Sequence, residues 1–117
     1  MSEYEHVIFD ITDEIATITL NRPKAMNALS REMGQELSDA LQQCTDQAGD
    51  GVKAIILTGA GGAFCAGGDV KAMKEESGMF AGNSNELRIN YEFGIQRIPR
   101  AIEALQTPII AMVNGAA

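Results

Sequence analysis

Val7, Phe9 and Ile11 fall on one face of the period-two run His6 to Thr12. From Ile15 to Leu20 the alternation resumes, with Ala16, Ile18 and Leu20 set against Ile15, Thr17 and Thr19. Two period-two runs separated by the polar stretch Thr12-Asp13-Glu14 predict a β-hairpin. Pro23 fixes its own φ and pushes Arg22 towards extended geometry, so Asn21 to Ala28 reads as a loop. Ser30 is a good N-cap, and Glu32 suits the first helical turn. Met33, Leu37, Ala40, Leu41 and Cys44 then recur at helical spacing, which predicts an amphipathic helix ending near Ala48. Gly49-Asp50-Gly51 is its stop signal.

Val52 to Thr58 contains Ala54-Ile55-Ile56-Leu57, a continuous apolar run, as in a parallel strand covered on both faces. Gly59 to Gly68 is glycine-rich, and Asp69 is placed to cap a short helix reaching about Met73. Ser77 to Asn85 is polar and punctuated by glycine. Leu87, Tyr91, Ile95, Ile98, Ile102 and Leu105 form the strongest helical stripe, with Pro99 inside it to kink or restart the helix. Ile109 to Val113 reads as a second buried strand and Asn114-Gly115 as a turn. The order hairpin, helix, strand, glycine loop, helix, strand predicts an α/β fold with parallel crossovers.

Composition narrows the function classes. The 117 residues carry 9 basic and 16 acidic side chains, a formal net charge of −7, and no basic run. Such a field repels nucleic acid and anionic membranes. No apolar run is long enough to span a bilayer, and Met1 to His6 lacks the regions of a signal peptide. Two cysteines, Cys44 and Cys65, fit a reducing compartment, so the expected location is cytoplasmic. With one histidine and two separated cysteines, no zinc site of the usual spacing is expected.

The glycine loop, Gly59-Ala60-Gly61-Gly62-Ala63-Phe64-Cys65-Ala66-Gly67-Gly68-Asp69, carries the candidate chemistry. A dinucleotide fingerprint starting at Gly59 fails at Phe64, and a phosphate loop starting at Gly62 ends in Gly68-Asp69 instead of Lys-Ser/Thr. What remains is a strand end, a flexible segment and a helix start whose backbone N–H groups are unpaired. Such donors stabilise negative charge developing on an oxygen, as in an enolate. Gly67 and Gly68 let a ligand approach the backbone closely. A plain connecting loop satisfies the same residues.

Phe64-Cys65-Ala66-Gly67-Gly68-Asp69-Val70 resembles the first oxyanion-hole segment of the crotonase superfamily, the enoyl-CoA hydratase/isomerase family. Asn21-Arg22-Pro23 with Asn27-Ala28-Leu29 resembles the family's first CoA-binding loop. Val52 to Gly59 resembles the strand leading into the oxyanion loop, and Thr107 to Gly115 the strand before the second oxyanion segment. The resemblance covers essentially the whole chain and implies a crotonase-like spiral of ββα units, of which residues 1–117 would be the N-terminal part.

It further implies an enzyme that binds acyl-CoA thioesters and stabilises a thioester enolate between two backbone amides, with hydration of a 2-enoyl-CoA as the leading reaction. Enoyl-CoA or dienoyl-CoA isomerisation is one alternative, and a non-catalytic acyl-CoA-binding or interaction module another. By position, Ala66 would give the first oxyanion N–H. Ala66, Gly67, Gly68, Asp69 and Val70 would line the thioester and pantetheine, with Lys24, Ala25 and Met26 near the CoA nucleotide. No cofactor is implied beyond the coenzyme A of the substrate, and no metal.

Chemistry alone favours plainer roles for several of these. Asp69 reads as a helix cap, Lys24 as a solvated side chain and Cys65 as a small filler. The second donor and the acid/base carboxylates of the family lie beyond the segment matching Gly115, so the 117-residue chain alone is expected to be inactive. The longer protein is expected to form trimers or hexamers.

Overall fold

The computed structural model describes residues 4–46, 51–67 and 97–117. Its centre is a four-stranded sheet in the order β1-β2-β3-β4. Strand β1 (Val7–Thr12) and strand β2 (Ile15–Leu20) form the expected antiparallel hairpin, with Val7 opposite Leu20 and Phe9 opposite Ile18. Its two-residue turn places Asp13 at φ 53° and Glu14 at φ 67°. That is the left-handed pair a tight hairpin needs to match the twist of its strands. Helix α1 (Arg31–Asp46) crosses to strand β3 (Ala54–Gly59), which lies parallel to β2. Helix α2 (Arg97–Glu103) leads to the short strand β4 (Ile109–Ala111), parallel to β3.

Local chemistry explains α1. The Ser30 hydroxyl accepts the Met33 N–H at 3.1 Å, which satisfies one of the helix's unpaired donors. Met33, Leu37, Ala40, Leu41 and Cys44 are all buried, as their spacing predicts. They pack on the face of the sheet that carries Val7, Phe9, Ala16, Ile18, Leu20 and Ile55, and together these residues are the core. Ile98 of α2 closes it. The N-terminal approach is tied to α1 by the His6 N–H, which donates to Glu36 Oε1 at 2.8 Å, and by the Tyr4 hydroxyl on Asp39. Burial first, and then the Asp39 carboxylate, push the Tyr4 phenol up to about 12.

The apolar runs in β3 and β4 predict strands that need cover on both faces; among the described residues only the α1 side has it. The opposite face carries Ile8, Ile15, Ile56 and Ile110, with Ile56 directly beside Ile110. Ile110 is 58% exposed, and Met112 and Val113 are exposed just beyond it. An apolar run records how much surface a strand must bury; it does not record which part of the chain buries it. The short helix after Asp69, the stretch Ser77 to Asn85, the end of α1 past Asp46 and the stripe before residue 97 lie outside the described residues. Among the described residues no helix is long and apolar enough to cross a membrane.

Candidate functional site

Strand β2 delivers the chain into the loop Asn21 to Ala28, and β3 delivers it into the glycine loop. Because β2 and β3 are parallel, both loops leave the same end of the sheet. The first loop is a turn of 3-10 helix, Pro23–Ala25, followed by Met26 at φ 54° and Asn27 at φ 57°. It leaves Lys24 and Met26 exposed. The Arg22 guanidinium braces it by donating to the Ala28 carbonyl at 2.5 Å.

Backbone hydrogen bonds join the two loops. The Ala66 N–H donates to the Met26 carbonyl at 3.0 Å, and the Leu29 N–H donates to the Gly67 carbonyl at 2.6 Å. The structure therefore brings Lys24, Ala25 and Met26 together with Ala66 and Gly67. Gly68, Asp69 and Val70 lie outside the described residues. Gly67 has φ 91° and open space around it, so this turn suits a residue without a side chain.

Ala66, expected to give the first oxyanion N–H, directs that N–H at the Met26 carbonyl in this structure. The local pattern that places Ala66 at a loop end carries no signal of a bond to a residue far away in sequence. Among the described residues the Gly67 N–H faces the Cys65 sulfur, at 3.4 Å, and a thiol is a weak acceptor.

Both cysteines are free. Cys44 is fully buried, and burial pushes its thiol up to about 11, so it stays protonated at neutral pH. Cys65 packs, half-buried, against the core, in keeping with a filler role.

Two asparagines to which the sequence analysis gave no individual role anchor the glycine loop. Asn27 is completely buried and sends its side-chain N–H groups to the carbonyls of Ala60 and Ala63. Asn114, expected only as a turn residue, donates to the carbonyls of Gly61 and Ala63. The available signal is a polar residue of a type that tolerates left-handed backbone, placed next to an apolar stretch.

The chain matches the family model described as enoyl-CoA hydratase/isomerase over residues 10–117. It is 38% identical over 115 residues to the crotonyl-CoA hydratase of Syntrophomonas wolfei, covering 96% of this chain and 40% of that protein. A probable enoyl-CoA hydratase of Rhodobacter capsulatus is 37% identical over 114 residues, covering 97% of this chain and 40% of its own length. Among solved structures, the enoyl-CoA hydratase of Bacillus anthracis superposes with a TM-score of 0.80 at 33% identity, over 95% of this chain and 40% of that one. A Legionella pneumophila protein described as a putative enoyl-CoA hydratase/isomerase (crotonase) gives 0.82 at 26% identity, over 96% of this chain and 41% of its own. The chain thus spans about two fifths of the length of these relatives.

Proposed function

The chain belongs to the enoyl-CoA hydratase/isomerase family, and from that premise we propose that residues 1–117 are the N-terminal portion of an acyl-CoA-processing enzyme. The proposed reaction is hydration of a 2-enoyl-CoA. The observation that carries this reading is the joining of the loop at Lys24 to Met26 with the glycine turn at Ala66 and Gly67 through paired backbone hydrogen bonds. A nucleotide-bearing thioester has a long, thin shape, and two exposed loops at one sheet end give it a continuous track. Lys24, Ala25 and Met26 take the CoA end. Ala66, Gly67, Gly68, Asp69 and Val70 take the pantetheine and thioester, with Asp69 capping the following helix.

The chemistry required is stabilisation of the enolate oxygen by backbone N–H groups. In this reading the first donor is the Ala66 N–H, which turns from the Met26 carbonyl to the thioester oxygen on binding. The absence of a Cβ at Gly67 and Gly68 lets the thioester reach the backbone. The second donor and the acid/base group belong to the continuation beyond residue 117. No cofactor or metal is needed, coenzyme A being part of the substrate. A cytoplasmic location and a trimeric or hexameric longer protein complete the proposal.

The test joins residues 1–117 to the remaining sequence of the Syntrophomonas hydratase and follows crotonyl-CoA by loss of its conjugated absorbance, once circular dichroism shows a folded product. Hydration is expected. A double-bond shift in a 3-enoyl-CoA without hydration would replace hydratase by isomerase, and no reaction on either substrate would overturn the enzyme reading. In the active protein, Ala66→Pro removes the donor and should lower kcat by ~10²–10³-fold with only a modest change in KM. Ala66→Gly should be nearly silent, because the donor is backbone. Unchanged turnover in Ala66→Pro would contradict the assignment.

A further inference from the structure

Ala63 lies at the centre of the glycine loop, and its carbonyl accepts from two side-chain amides that arrive from different parts of the chain. Asn27 Nδ2 donates at 2.8 Å and Asn114 Nδ2 at 3.3 Å. A carbonyl oxygen has two lone pairs and accommodates both. Each asparagine is fully used. Asn27 Oδ1 accepts the Arg22 N–H at 2.8 Å, and its amide also reaches the Ala60 carbonyl at 3.0 Å. Asn114 Oδ1 accepts the Gly59 N–H at 3.1 Å, and its amide also reaches the Gly61 carbonyl at 3.1 Å.

The contact is reinforced along the backbone. The Phe64 and Cys65 N–H groups both point at the Ala116 carbonyl, at 2.9 and 3.3 Å. Gly115 sits so close that a Cβ there would stand 2.1 Å from the Gly62 carbonyl oxygen. The CoA-side loop, the glycine loop and the exit of β4 are therefore one hydrogen-bonded block.

We infer that Asn27 and Asn114 are paired positioning residues that set where the donor-bearing turn stands relative to the segment leaving β4. The inference rests on the acyl-CoA reading above. In that reading the first donor is at Ala66, on one side of this junction, and the second lies on the continuation of 114–117, on the other. The distance between two donors serving one oxygen is then set by the two asparagines. A displacement of ~1 Å in such a site costs ~10²-fold in rate. Asparagine is needed because only a neutral amide donates to the two loop carbonyls while accepting a backbone N–H through the same group.

Asn114→Asp keeps the shape and the acceptor and replaces the donor by an oxygen facing Gly61 and Ala63. The probe is an arylacryloyl thioester of coenzyme A, whose absorption moves to the red when its carbonyl is polarised by hydrogen bonds. The test protein is the chain joined to the remaining Syntrophomonas hydratase sequence, which supplies the second donor; this unsubstituted chain should bind the probe and shift it. Asn114→Asp should bind within about threefold as tightly and lose about half of the red shift or more, since placement of the donor and not contact with CoA is altered. Asn27→Asp should lose the shift and weaken binding too, because it places, within the CoA-side loop itself, a completely buried carboxylate oxygen against the Ala60 and Ala63 carbonyls.

Binding with an unchanged red shift in Asn114→Asp would overturn the inference alone. No binding by the unsubstituted chain would overturn the acyl-CoA reading and the inference with it. Should Asn114→Asp not fold, the unsubstituted chain still decides. The side-chain amide signals of both asparagines should then exchange slowly and move when the probe binds, and unmoved signals would refute the role.

Discussion

Gly59→Ala should cost more than ~3 kcal/mol of stability, at the upper end of what overpacking does. The last residue of β3 has ordinary backbone geometry, so the requirement for glycine is one of space. A Cβ there would lie 2.5 Å from the carbonyl oxygens of both Ala63 and Phe64 and 2.8 Å from Asn27 Nδ2. None of the three is the free end of a flexible side chain. The two oxygens belong to the glycine loop, and Asn27 Nδ2 is held by two carbonyls. Relief therefore requires the loop to leave β3, which breaks the block that joins it to the CoA-side loop. Gly62 is the matched control, because nothing lies within 4 Å of a Cβ built there. Gly62→Ala should stay within about 0.5 kcal/mol of the parent. Urea midpoints for the two variants provide the comparison, and equal midpoints would contradict this packing.

Ile18→Ala should destabilise the chain by ~2–5 kcal/mol, and Ile18→Val by only ~0.5–1.5 kcal/mol. Ile18 has no exposed surface, lies opposite Phe9 of β1 and Leu57 of β3, and belongs to the cluster covered by α1. Removing three carbons there opens a cavity between sheet and helix that neither can fill without moving. Removing one leaves the branched Cβ that packs against both neighbouring strands. A native stability of ~5–15 kcal/mol makes the alanine change a large fraction of the whole. Equal thermal midpoints for the two variants would show that the site collapses around the deletion.

Much of this architecture was legible before any coordinates. Alternation placed the hairpin because a strand with one buried face must alternate, and Val7, Phe9, Ala16, Ile18 and Leu20 do. The Met33 to Cys44 stripe placed α1 because a helix buries every third or fourth residue, and Ser30 marked its start. The glycine loop was legible as a place where backbone matters more than side chain. What escaped was non-local. Which carbonyl receives the Ala66 N–H depends on how β2 and β3 align, and no local pattern encodes it. Asn27 and Asn114 look like turn residues in isolation and become structural only when two loops and a strand exit meet at Ala63. The Ile55-Ile56 and Ile109-Ile110 runs state a need for cover without naming its source.

The central claim is that residues 21–28 and 59–67 form one preassembled acyl-CoA track. Amide NMR of the folded chain during titration with butyryl-CoA, a saturated thioester that cannot be hydrated, tests it most directly. The account predicts saturable shifts concentrated at Lys24, Ala25, Met26, Ala66 and Gly67, with the outer face of α1 silent. Shifts spread along α1, or none at all at saturating thioester, would contradict it.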